Sequence, residues 1–211
     1  MRATVSFLIG LVLGATAILL YLTETQRLAS AAPRNVGPAL SRTGPTESRT
    51  DISEPLIIPV DGVTVDHLKS GFNESRGGGF RVHHALDILA PRGTPVRAAV
   101  SGTIRKLFAS GAGGITIYEF DRDEKRCYYY AHLDRYSNFL HEGQVVAQGD
   151  VIGYVGTTGN APANTPHLHF AISILPPTKE WWKGDPINPY PILMEHGVTV
   201  ETGRGSVVGG R

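Results

Sequence analysis

Two imidazoles stand two residues apart in His167-Leu168-His169, at the head of an apolar stretch that continues through Phe170-Ala171-Ile172. Pro166 precedes the stretch and the pair Pro176-Pro177 follows it. That pattern predicts a buried strand closed at both ends by strand breakers. Side chains on a strand alternate faces, so His167 and His169 share one. Neutral imidazole needs hydrogen-bond partners, which makes two side by side poor core material. Metal ligation and proton transfer suit them better. A lone His on an apolar strand is more often a satisfied core residue. The pair evens that balance, and further donors elsewhere in the chain tip it towards a metal site.

His83 and Asp87 lie four residues apart, beside the glycine-rich stretch 71–80. Their Gly and Pro neighbours argue against a helix, so a loop entering a strand must bring the two together. Imidazoles and a carboxylate suit Zn2+, and two His with one carboxylate leave a fourth position open, as in catalytic zinc sites. Water bound at such a site has a pKa of about 7 rather than 15.7. His132 ends the stretch Arg126-Cys127-Tyr128-Tyr129-Tyr130-Ala131-His132. Alternation predicts that Tyr128, Tyr130 and His132 share one face and Cys127, Tyr129 and Ala131 the other. Alone, His132 reads equally well as a surface residue; beside a zinc site it is a proton-transfer candidate.

The elements that must position these groups are short strands. Candidates are residues 96–100, 102–109, 115–120, 126–132, 145–147, 151–155 and 167–174, separated by turn signals such as Gly111-Ala112-Gly113-Gly114 and Gly149-Asp150. This spacing predicts an all-β, antiparallel sandwich or open barrel. No long helical period follows the N-terminus. The 25 Gly and 14 Pro among 211 residues suit many tight turns. A formal charge of +1 gives no electrostatic reason to expect nucleic acid. The single cysteine, Cys127, excludes an intrachain disulfide framework and a multi-Cys zinc site. Its strand-like neighbours make it a buried small hydrophobe.

Residues 3–22 form an apolar run without charge after Met1-Arg2. About 20 residues at 1.5 Å rise span a bilayer core. A cleavable signal has an apolar region of roughly 7–15 residues, so an uncleaved signal anchor over residues 1–22 is the favoured reading. Arg2 favours a cytoplasmic N-terminus, which puts the remainder outside the cytoplasm. Residues 23–54 are polar, small and rich in Pro and Gly, and read as a flexible linker. The folded domain is expected over 55–195, with a polar, Gly-rich tail at 196–211.

The pieces His83-His84-Ala85-Leu86-Asp87, Tyr130-Ala131-His132-Leu133 and His167-Leu168-His169 resemble, in order and spacing, the lysostaphin-type zinc metallopeptidases of family M23, which are peptidoglycan endopeptidases. The resemblance runs from about Asp66 to Pro189. It includes connectors such as Gly149-Asp150-Val151-Ile152-Gly153 and Asp185-Pro186-Ile187-Asn188-Pro189. It implies the lysostaphin-type β fold, one zinc per chain held by His83, Asp87 and His169, and His132 and His167 as catalytic histidines. Ala85 departs from the family pattern, which commonly has Gly there. His84 falls at a non-ligand position.

Asn73 and Arg76 are candidate substrate-binding residues, since family members use this region to wall the groove. Arg76 could meet a substrate carboxylate. Tyr128, Tyr130, Trp181 and Trp182 read as packing residues, and His67, His141 and His196 match no motif. The expected function is a membrane-anchored, extracytoplasmic zinc endopeptidase of peptidoglycan, the periplasm being the preferred compartment. The alternative is a weakly catalytic or non-catalytic module that recruits or activates another wall hydrolase, with a cell-wall regulator protein as partner.

Overall fold

The computed structural model describes residues 54–79 and 81–199. The apolar run at 3–22, almost all of the expected linker and the chain from residue 200 onward lie outside the described residues. Among those described, no helix is long and apolar enough to cross a membrane.

Antiparallel strands dominate. Strands β1 (Ser75–Arg76) and β2 (Arg81–Val82) form a two-stranded ribbon. Among the described residues, the main sheet has nine strands: β3 (Leu86–Leu89), β4 (Pro95–Arg97), β5 (Gly102–Ser110), β6 (Gly114–Asp121), β7 (Arg126–Tyr136), β8 (Val145–Val146), β9 (Val151–Val155), β10 (His167–Ile174) and β11 (Asp185–Ile187). Its main path is β11-β10-β7-β6-β5-β8, with β3 added beside β10 and the β4–β9 pair beside β7. Strand β7 is the branch point. Its residues 126–131 pair with β10, and Leu133, Arg135 and Tyr136 pair with β9. The chain is thus mostly β with an open, branched sheet, as the turn-rich pattern requires. Strands β9 and β10 have the expected bounds, and β7 runs four residues further than expected, to Tyr136. Helix α1 (Pro189–His196) was not expected; it starts at Asn188, whose side chain accepts a hydrogen bond from the Tyr190 N–H.

Period-two alternation sorts the two faces of the sheet. Leu168, Phe170 and Ile172 of β10 are buried in the main core with Leu86 and Ile88 of β3, Ile117 of β6 and Tyr128, Tyr130 and Leu133 of β7. Burying each large apolar side chain contributes about 1.5–3 kcal/mol, so a one-residue slip of β10 would be strongly opposed. That register sends His167 and His169 to the other face. There Phe120, Cys127 and Leu175 form a smaller cluster, with Tyr118 and Trp181 packed against it. Cys127 is buried as expected, and burial pushes its thiol pKa up to about 12.

A carboxyl group is buried beside the main core. Glu119 of β6 is fully buried, and Tyr130 donates its O–H to Glu119 Oε2 at 2.5 Å. The Tyr130 oxygen in turn accepts from the Ala99 N–H at 2.8 Å. Burial pushes the Glu119 pKa up to about 8, despite the Tyr130 hydrogen bond.

Candidate metal centre

Strands β3 and β10 are hydrogen-bonded neighbours, and Asp87 lies directly opposite His169. Opposed residues on one face of an antiparallel pair have Cβ atoms about 4.5–5.5 Å apart, near enough for a carboxylate and an imidazole to meet. His83 enters from the segment between the ribbon and β3. Its N–H donates to Glu74 O at 2.9 Å. The next residue, His84, adopts φ 52°, and its N–H donates to Phe72 O at 2.8 Å. This left-handed residue turns the chain between ribbon and sheet, and Asn/Asp/His tolerate that conformation better than most side chains. Ala85 is buried and has an ordinary φ, so the backbone here does not need the glycine common in the family.

Three donor atoms converge. His83 Nε2 lies 3.0 Å from Asp87 Oδ1 and 3.1 Å from His169 Nδ1, and His169 Nδ1 lies 3.0 Å from Asp87 Oδ1. The Nδ1–H of His83 donates to Gly71 O at 3.0 Å, which leaves Nε2 with its lone pair facing the other two atoms. Three electron-rich atoms this close repel one another unless a cation or shared proton lies between them. Tetrahedral donors at about 2.0–2.1 Å from zinc stand about 3.3 Å apart. The triangle falls within a few tenths of an ångström of that spacing, so the residues fit such an ion. Burial works to raise the Asp87 pKa, but His169 and His83 hold its carboxyl well below the usual carboxylate range. Burial is also the largest influence on His169 and lowers its pKa, against the opposing pull of Asp87. Both shifts favour the unprotonated, ligating forms.

Two further imidazoles adjoin the triangle. His167 is buried, its Nε2 is 3.8 Å from Asp87 Oδ1, and its Nδ1–H donates to Thr165 O at 2.8 Å. His132 is buried, and its Nδ1–H donates to Thr158 O at 2.8 Å. The His132 ring centroid lies 5.0 Å from that of His167 and 5.5 Å from that of His169. In both residues the carbonyl partner fixes the tautomer and leaves Nε2 as the available ring nitrogen. Burial lowers the His132 pKa, with His169 and His167 adding to that effect and the Thr158 carbonyl opposing it.

The position of His132 departs from strict alternation. Opposite it, Ile115 pairs with Leu133 and Ile117 with Tyr130, so two residue steps on β6 face three on β7. The extra residue makes a β-bulge, and His132 takes φ 61° there, its N–H donating to Gly113 O at 2.8 Å. The bulge turns His132 away from Tyr128 and Tyr130, which are both fully buried in the core. It brings His132 onto the face of Tyr129 and Ala131, which line the same cleft. The expectation that His132 shares a face with Tyr128 and Tyr130 is therefore overturned. Tyr129, assigned by alternation to the opposite face, is the residue the sequence reading missed. Its ring lies 6.0 Å from that of His169. Only knowledge of the bulge would have found it.

The cleft has a volume of about 640 Å³ and contains the triangle, both further imidazoles and Arg76. Arg76 Nη2 donates to Asp87 Oδ2 at 2.9 Å, the oxygen turned away from the triangle, and Nη1 lies 3.2 Å from Glu74 Oε2. Arg76 thus grips a donor carboxylate directly. Asn73 is exposed and does not line the cleft. His84 is exposed, its ring 5.3 Å from that of Phe72, and His67 and His141 are exposed elsewhere. Trp181 packs on the smaller cluster, whereas Trp182 is largely exposed.

Comparison with known proteins agrees with this geometry. The chain is 35% identical over 132 residues to an L-Ala--D-Glu endopeptidase of Bacillus subtilis, covering 59% of this chain and 39% of that protein. It is 33% identical over 107 residues to the peptidoglycan DD-endopeptidase ShyC of Vibrio cholerae, covering 49% of this chain and 24% of that one. The matches thus span well under half the length of these relatives. Among solved structures, the catalytic domain of lysostaphin from Staphylococcus simulans superposes with a TM-score of 0.51 at 29% identity, covering 61% of this chain and 94% of that domain. The profile described as Peptidase family M23 matches residues 81–189, which takes in the triangle and both further imidazoles. On that match, which covers more than half its length, the chain belongs to peptidase family M23.

Proposed function

We propose that this chain is a zinc endopeptidase acting on peptide bonds of peptidoglycan, with His83, Asp87 and His169 as zinc ligands and His132 and His167 as catalytic histidines. The observation that carries the proposal is the triangle of donor atoms at 3.0–3.1 Å with two tautomer-fixed imidazoles beside it. The family and the names of the relatives support a wall-peptide substrate. When bound, zinc supplies a Lewis acid for the scissile carbonyl and makes water a nucleophile at neutral pH.

The chain's own groups do the rest. His132, kept neutral by burial, accepts the proton of the attacking water at Nε2 and passes it to the leaving amine. His167, whose Nε2 faces the Asp87 edge of the triangle, stabilises the charge that develops on the carbonyl oxygen. The fixed Nδ1–H bonds to Thr158 and Thr165 hold both rings in place, so little reorganisation accompanies the reaction. The apolar run at 3–22 supports a membrane tether with the peptidase outside the cytoplasm.

The test uses purified protein on isolated sacculi, with and without a chelator, followed by muropeptide analysis. New peptide amines that disappear with chelator and return with zinc are expected. Absence of cleavage by zinc-loaded protein under every condition would overturn the proposal.

A further inference from the structure

We propose that Arg81 is a carboxylate-recognition residue, so that the cleft selects peptides bearing a free carboxylate near the scissile bond over uncharged glycine bridges. The inference rests on reading the cleft as a peptidase site. Arg76 and Arg81 face each other in register across the β1–β2 ribbon, and both line the cleft. Like charges directly opposite one another on a ribbon are destabilising. One of the two is accounted for, because the Arg76 guanidinium is engaged by Asp87 and Glu74. Arg81 is not. It is exposed, and its guanidinium makes no ion pair or hydrogen bond among the described residues.

The other charges of the cleft point the same way. Its basic and carboxylate side chains are Arg76, Arg81, His83, His132, His167, His169 and Asp87, beside the Tyr129 phenol. The carboxylate of Asp87 is already held by Arg76, His83 and His169. Among the described residues no second carboxylate lines the cleft to neutralise Arg81, and a dication in the triangle would make the cleft more positive still. An anionic group on the incoming peptide meets an unengaged guanidinium fork, which matches a carboxylate with two parallel N–H···O bonds. Val82 and Leu89 line the cleft as well, and are 46% and 53% exposed, which offers apolar contact to a peptide flanking that carboxylate. Peptidoglycan stem peptides carry such carboxylates; the interior of a glycine bridge has none.

The test compares kcat/KM of the zinc-loaded protein on a synthetic crosslinked stem peptide, on versions with each carboxylate in turn converted to carboxamide, and on C-amidated pentaglycine. Wild type is expected to lose about 10–100-fold on one carboxamide version. R81Q is expected to lose that discrimination, mainly through KM on the free-carboxylate peptide, and R81K to keep part of it as a point charge without the fork. Thermal melts of R81Q and R81K control for folding. Equal cleavage of all stem versions by wild type, or full discrimination retained by R81Q, overturns the assignment of Arg81 while leaving the peptidase reading intact. Failure of zinc-loaded wild type to cut any peptide or sacculus overturns the peptidase reading, and this inference with it.

Discussion

The contact between Arg76 and Asp87 gives this arginine a carboxylate partner within the protein, where its position in the sequence suggested a carboxylate of the substrate. A guanidinium 2.9 Å from the outer oxygen of the Asp87 carboxylate fixes the direction of the inner one. We therefore expect R76A to weaken zinc affinity about 10–100-fold, measured by competition against a chromogenic chelator. An unchanged affinity would show that Asp87 holds its pose unaided. His132 makes a contrasting case, since it touches no atom of the triangle at hydrogen-bond distance. H132A is expected to lower kcat about 10²–10⁴-fold while zinc content, read by elemental analysis, stays at one per chain. Loss of metal from H132A would move this residue from proton transfer to ligation. The placement of these side chains was partly legible in the residues. The His-x-His pair announced its face through alternation, and His83 with Asp87 through composition. The partner of Arg76 was not legible, because it depends on where a two-residue strand lies against β3.

At the scale of elements, the bulge in β7 is the decisive feature, and it is held by glycines. Gly114 has φ 67°, and a Cβ there would collide with the Thr158 backbone and Gly159 N. Thr158 is the residue whose carbonyl fixes His132. G114A is expected to destabilise the domain by about 1–3 kcal/mol, or several degrees in melting temperature. It should also lower kcat by displacing the Thr158 carbonyl from His132. A variant that melts earlier but keeps its full kcat would uncouple the two. Strands β9 and β10 could be read to the residue because their apolar runs end at Gly or Pro. The bulge could not, because nothing in Tyr130-Ala131-His132 distinguishes a regular pleat from one with an added residue. Its cause lies across the sheet, in the close approach of Gly113 and Gly114 to β7 and the 156–159 turn. The ribbon escaped notice for a different reason: two-residue strands are too short to show a period.

At the scale of the whole molecule, Glu119 ties β6 to β7 and to the Ala99 backbone through Tyr130. Its pKa is raised from an ordinary 4.5 to about 8 in the folded state, chiefly by burial. Between these values the folded chain keeps a proton that the unfolded chain releases, so its contribution to stability is full below about pH 4.5 and is lost as the pH rises through about 8. Wild type is expected to lose melting temperature relative to E119Q by a few degrees per pH unit across this window. A pH-independent difference between the two would show that Glu119 is equally charged in both states. The mostly-β architecture was open to a sequence reading because turns and apolar alternation are local. The carboxylic acid in the core was not, since a Glu within a strand ordinarily marks a solvent-facing position.

The order in which the donors arrive along the chain has a further consequence. His83 and Asp87 precede His169 by more than eighty residues, and the triangle closes only when β10 inserts between β3 and β7. A chain still emerging from a ribosome therefore presents at most two of the three donors. On the proposed function, every unfinished copy lacks a complete ligand set, and a product truncated ahead of β10 is expected to be unable to cut the wall peptides that the finished chain would cleave.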